Sequence, residues 1–130
     1  MSKPPRLYRV ILPTRDIKTA ARFYATVLGF EGKRVSEGRH YFDCGGTILA
    51  CVVPEGEGLE FRPNIDHVYF AVDDLEAAFE RAKNADCDWL EDSIETRPWD
   101  ERSFYGRDPF GNPICFVDET TLFTGQRYVE

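Results

Sequence analysis

A chain of 130 residues is long enough to bury a core, as one domain or as two small halves that share one. Hydrophobic residues at 42% and aromatics at 14% exclude a disordered polymer. A formal charge of −7 excludes nucleic acid and anionic membrane as general partners, because no basic excess is available to neutralise phosphates.

In chain order, LYRVILP (7–13) is an apolar, β-branched run that predicts a buried strand. DIKTAARFYATVLGF (16–30) has helical periodicity, with Ile17, Ala20, Ala21, Tyr24 and Leu28 on one face. Asp16 is placed to cap its start, and Gly29 to end it with a positive φ. Three short strands are expected near 32–36, 39–43 and 47–53, and PEGEGLEFRPN (54–64) reads as a linker. The order then begins again. IDHVYFAV (65–72) predicts a strand and DDLEAAFERAKNA (73–85) a helix, with Asp73 and Glu76 forming a capping box. Short strands follow at 88–92, 101–108 and 113–118, and the tail 119–130 has no period. The expected layout is therefore a module over 5–53, a linker over 54–64, a second module over 65–118 and a tail, all within one structural domain.

The restart is an internal repeat. At an offset of 58, Asp16 falls on Asp74, Ile17 on Leu75, Ala20 on Ala78, Val10 on Val68 and Arg9 on His67. At 65, Asp43 falls on Asp108, Gly46 on Gly111, Leu49 on Ile114, Ala50 on Cys115 and His40 on Tyr105. The difference of seven fits a longer loop at 92–103, so each half is one β-α-β-β-β unit. The four cysteines, Cys44, Cys51, Cys87 and Cys115, form no CxxC pair, which argues against a zinc knuckle or a disulfide framework. Cys51 and Cys115 sit in apolar strands, where a thiol behaves as a small hydrophobe. No apolar run reaches the roughly 20 residues of a membrane span. With no apolar signal core in MSKPPRLYRV, a cytoplasmic location is expected.

Paired β-α-β-β-β units, DIKTAARFYATVLGF, HVYFAVDDLEAA and the turn DPFGNP together resemble the vicinal oxygen chelate superfamily. That group includes glyoxalases, bleomycin-resistance proteins and extradiol dioxygenases. The resemblance implies an α+β fold in which two modules form curved half-sheets around a shared cavity, and it implies a homodimer. In metal-using members, four positions hold one divalent cation, and here those positions carry Arg9, Ala50, His67 and Cys115. Only His67 is an ordinary ligand. Arg9 is a fixed cation, Ala50 has no donor, and Cys115 would serve a soft metal alone. A shared His40–His67 metal site finds no support in any ligand spacing. No metal and no other cofactor is therefore expected.

Strand alternation adds Ile11, Pro13, Tyr69, Ala71, Ile48, Val52, Pro113 and Val117 to the cavity face, a mainly apolar lining with a few convergent polar groups. The expected ligand-binding residues are Arg9, His67, Tyr69, Trp99 and Cys115. Arg9 would hold an anion, His67 would exchange a proton or a hydrogen bond, and Tyr69 and Trp99 would stack on a planar ligand. Glu101 and Arg102 are expected to form a local salt bridge. The function expected is metal-free binding of an aromatic or anionic small molecule. The alternatives are a metal-dependent lyase, isomerase or dioxygenase using His67 with atypical partners, or a cofactor-free acid/base enzyme.

Overall fold

The structure, a computed structural model, describes residues 2–126, 128 and 129. Arg127 and Glu130 of the expected tail lie outside the described residues. The chain divides into two compact units, Met1–Asn64 and Ile65–Glu130.

The first unit runs β1 (Arg9–Pro13), α1 (Ile17–Leu28), β2 (Lys33–Ser36), β3 (Arg39–Cys44) and β4 (Thr47–Val52). Its sheet has the order β1-β4-β3-β2, with β1 parallel to β4 and the other pairs antiparallel. Asp16 caps α1, accepting from the Lys18 amide at 3.2 Å and the Thr19 hydroxyl at 2.7 Å, and Gly29 ends it at φ 83°. The helix buries Ile17, Ala20, Phe23, Tyr24 and Val27. Because alternate strand residues face opposite ways, Leu12, Leu49, Cys51, Phe42 and His40 share the helix side of the sheet. Tyr24 and Phe42 meet there with ring centres 6.3 Å apart. Part of the expected linker is a 3₁₀ turn, Pro54–Glu57.

The second unit repeats the plan with β5 (Val68–Val72), α2 (Leu75–Lys83), β6 (Trp89–Leu90), β7 (Glu95–Thr96), β8 (Arg102–Arg107) and β9 (Pro113–Asp118). The order is β5-β9-β8-β6, and β7 also pairs with β8. Phe79 of α2 packs on Phe104 at 4.9 Å, Phe104 stacks on Phe116 at 5.1 Å, and Phe116 on Phe70 at 5.0 Å. Each such pair contributes about 0.5–1.5 kcal/mol beyond area burial. The turn after β8 is held by Asp108, whose Oδ1 accepts from the Phe110 and Asn112 amides, both at 2.9 Å. Asp43 repeats this on the Gly46 amide at 2.8 Å.

Pairing follows the repeat. Val10 sits opposite Leu49, and Val68 opposite Ile114, so both offsets hold in the parallel pairs. Three expectations need correction. The cap of α2 is Asp74, accepting from the Ala77 amide at 3.0 Å, and not Asp73. The strand expected from residue 65 begins at Val68, which leaves His67 just ahead of it. The third concerns register. Tyr41 pairs with Ala50 and Tyr105 with Cys115, whereas His40 pairs with Cys51. The structural counterpart of Tyr105 is therefore Tyr41. A one-residue difference in turn length shifts β3 against β8, and one residue of shift exchanges the two faces of a strand.

Candidate functional site

Five residues carried the sequence expectation, and four of them lie in the second unit. On the sheet face away from α2, Cys115 stands in register between Tyr69 and Tyr105. The His67 ring centre lies 4.8 Å from Tyr105 and 5.9 Å from Tyr69. Asp66 Oδ1 accepts from the His67 main-chain amide at 2.7 Å and from Nδ1–H at 2.9 Å. In a neutral ring that pairing puts the proton on Nδ1 and leaves the lone pair on Nε2. The His67 main-chain and side-chain hydrogen bonds hold the Asp66 carboxyl below the usual range.

Cys115 is almost fully buried. Burial pushes its thiol up to about 12, against partial relief from a hydrogen bond with Ser103 and the charge of Arg97. It is a neutral thiol at physiological pH, neither a nucleophile nor a ready metal ligand. Beside it, Arg97 lies 4.3 Å over the Tyr105 ring, donates through Nε to Ser103 Oγ at 2.8 Å and pairs with Glu91 at 3.1 Å. Burial works against ionisation of Glu91, but bonds from Arg97 and the Tyr105 amide outweigh it and hold the carboxyl below its usual value. Glu91 is thus a charged anchor for Arg97 and not a waiting base.

Next to this cluster is an open hollow of about 400 Å³ lined by Tyr69, Ala71, Trp99, Val117, Leu122 and Phe123, with Glu101 at its edge. Tyr69 is 56% exposed and Trp99 44%, so both rings are open to a ligand. Glu101 builds this wall. Its Oε1 accepts from Trp99 Nε1–H and its Oε2 from the Phe123 amide, each at 2.8 Å. The expected Glu101–Arg102 salt bridge does not form, because Arg102 pairs with Glu76 and with Asp118 at 2.9 Å. Trp99 sits on a tight turn: the Arg97 amide bonds the Glu101 carbonyl, and Asp100 takes φ 73°, which aspartate tolerates better than most residues. Sequence reasoning missed Glu91, Arg97, Leu122 and Phe123. Their places depend on how a loop and a tail fold back, and no period encodes that.

In the first unit, Arg9 lies on the sheet face away from α1, with Ile11, Ile48, Ala50 and Tyr41. Its guanidinium stands 4.9 Å from the Tyr8 ring centre and 5.3 Å from that of Tyr41. His40 is on the other face. Its Nε2–H donates to the Glu31 carbonyl at 2.9 Å, its Nδ1 has no partner among the described residues, and its ring lies 5.0 Å from Phe42. It belongs to the helix-side core. The donor set consequently does not fit the superfamily's metal. The four corresponding positions offer one imidazole and one thiol held protonated, and no group of three His, Cys, Asp or Glu able to hold a metal occurs among the described residues.

A family model described as the Glyoxalase/Bleomycin resistance protein/Dioxygenase superfamily matches residues 6–116. Among solved structures, the chain is similar to a lactoylglutathione lyase from Agrobacterium tumefaciens, at 20% identity and a TM-score of 0.70, covering 91% of this chain and 96% of that one. It is similar also to a glyoxalase/bleomycin resistance protein/dioxygenase family enzyme from Burkholderia phytofirmans PsJN, at 22% identity and 0.74, covering 91% and 100%. A structure from the mobile metagenome of V. Pseudocholerae shares 28% identity at 0.65, covering 91% and 97%. No curated protein matches the chain. The likeness to the first two is one of fold. No helix among the described residues is long and apolar enough to cross a membrane.

Proposed function

Since the chain belongs to the glyoxalase/bleomycin resistance protein/dioxygenase superfamily, we propose that it binds an aromatic or anionic small molecule without a metal, through Arg9, His67, Tyr69, Trp99 and Cys115. The observation that carries this reading is the hollow beside Tyr69, whose walls are aromatic and aliphatic and whose indole is held in place by Glu101. Tyr69 and Trp99 offer ring faces for stacking, and His67 Nε2 offers one acceptor beside them. Cys115 serves as a compact, uncharged floor between Tyr69 and Tyr105. A fixed aromatic wall lowers the ordering cost of binding. Homodimerisation and a cytoplasmic location belong to the same proposal, and sedimentation equilibrium at micromolar concentration checks the first.

One observation favours a second reading. The Asp66–His67 pair fixes the tautomer in the manner of a general base, with Nε2 left to take a proton. A cofactor-free acid/base enzyme would use that atom. The donor set gives no such support to a metal-dependent lyase, isomerase or dioxygenase.

The binding reading is tested with N-phenyl-1-naphthylamine, a neutral aromatic probe that fluoresces in apolar sites. Trp99→Ala is expected to weaken its affinity by up to about tenfold, the order of one aromatic contact. The melting temperature should change little, because Trp99 is 44% exposed. Unchanged affinity in that variant would contradict the assignment of the hollow.

A further inference from the structure

The first unit carries a cation whose surroundings the metal-free reading does not use. Arg39 is matched by Glu57 at 2.9 Å, Arg97 by Glu91, and Arg102 by Glu76 and Asp118, whereas Arg15 and Arg107 lie over the rings of Phe61 and Trp89. Arg9 has no carboxylate within ion-pairing distance among the described residues. Two aromatic rings hold it instead, and its one hydrogen bond runs from Nη2–H to Tyr8 Oη at 3.2 Å. Guanidinium has five N–H donors in a planar fork, so most of that fork remains for a ligand.

The fork is also positioned. Tyr41, one of its two rings, is fixed at its far end, where Oη accepts from Arg39 Nη1 at 2.8 Å. Glu57 in turn neutralises Arg39. Between Arg9 and Tyr41 lies β4, where the residue opposite Tyr41 is Ala50. A single methyl there leaves room for the arginine stem to cross the strand. Tyr41 also walls a groove of about 380 Å³ lined by Phe30, Lys33, Val35, Asp43 and Ile48, the last being the register partner of Arg9. Phe30 is 41% exposed and Val35 51%, so the apolar groove is open. A cation with a vacant bidentate fork therefore shares one tyrosine with an apolar groove of ring size.

We propose that this face of the first unit binds a monoanionic arylalkyl carboxylate, its carboxylate on Arg9 and its apolar body in the groove beside Tyr41. The inference rests on the ligand-binding reading in giving Arg9 an anion, and its groove is lined by residues of the first unit. Planar carboxylate geometry matches the guanidinium fork. A polyanion is disfavoured by the chain's net charge of −7.

The test uses the full chain, labelled with ¹⁵N and titrated with 3-phenylpropionate and, separately, with its neutral isostere 3-phenylpropionamide. The carboxylate is expected to bind about tenfold or more tighter than the amide, as loss of a charge-assisted hydrogen bond implies. Its shifts should fall on amides of β1, β3 and residues 30–35. Arg9→Gln is expected to abolish the preference for the carboxylate, and Val35→Asp to weaken both ligands; both positions are exposed, so neither change threatens the fold. Equal affinity for the two ligands, shifts confined to residues 65–126, or a carboxylate preference that survives Arg9→Gln would each overturn the proposal. N-phenyl-1-naphthylamine separates the two readings. If that probe still responds to Trp99→Ala while the carboxylate preference is absent, only the Arg9 site fails; if the probe does not bind, the hollow fails too.

Discussion

Cys115 and Glu101 illustrate how far residue type alone carries a functional reading. An apolar strand setting already marked Cys115 as an inert thiol, and burial raising it to about 12 gives that reading its chemistry. The native protein at pH 8 should therefore leave Cys115 unmodified by iodoacetamide, with labelling only after denaturation. Peptide mass mapping checks this, and rapid native labelling would contradict it. Glu101 was illegible in the sequence, because its two partners are an indole two residues before it and a main-chain amide twenty-two residues after it. Glu101→Ala removes both acceptors. It should cost about 1–2 kcal/mol, release Trp99 toward water with a red-shifted emission, and weaken the aromatic probe. An unchanged spectrum would mean that Glu101 does not hold the wall.

Among the elements, the helices and the parallel pairs were the most legible parts of the fold. Both carry a period, both have an aspartate at the cap, and the offsets of 58 and 65 reappear as Val10 opposite Leu49 and Val68 opposite Ile114. Antiparallel registers were less legible. Turn length sets them, and one residue of difference moved His40 into the core and left Tyr41 facing Arg9. The sequence named candidate site residues by type alone, while the clamp around Trp99 required the loop and tail to be seen folded. Two stability tests belong here. Asp74→Ala should cost about 1 kcal/mol through loss of the α2 cap, read as a lower urea midpoint at unchanged slope. Gly32→Ala should be far worse. Gly32 has φ +66°, and an added Cβ would lie 2.7 Å from both the Phe42 ring and the Tyr41 carbonyl. Near-wild-type melting of that variant would show that this loop can shift freely.

Across the molecule, several carboxyls sit below their usual range. Hydrogen bonds from Thr19 do this for Asp16, Arg102 does it for Glu76, and the Thr120 amide, followed by its hydroxyl and Arg102, does it for Asp118. A lowered pKa in the folded state means stability that is complete above the unfolded values, 3.8 for Asp and 4.5 for Glu, and lost as pH falls through the folded ones. The buried thiols act at the other end. Burial raises Cys87 to about 11 and Cys115 to about 12 from 9.0, so their contribution is complete below pH 9 and is lost as pH rises toward those values. Urea midpoints should therefore form a plateau from about pH 5 to 9 that falls on both sides. A midpoint still level at pH 3 would contradict the acid limb.

The central claim is that the protein binds a small molecule with no metal. Elemental analysis of protein purified without added metal, continued as a calorimetric titration with Zn²⁺, Ni²⁺ and Mn²⁺, tests it most directly. The account predicts substoichiometric metal, no saturable heat with any of the three ions, and identical probe affinity before and after EDTA. One tightly held metal per chain that disappears in His67→Ala would contradict it.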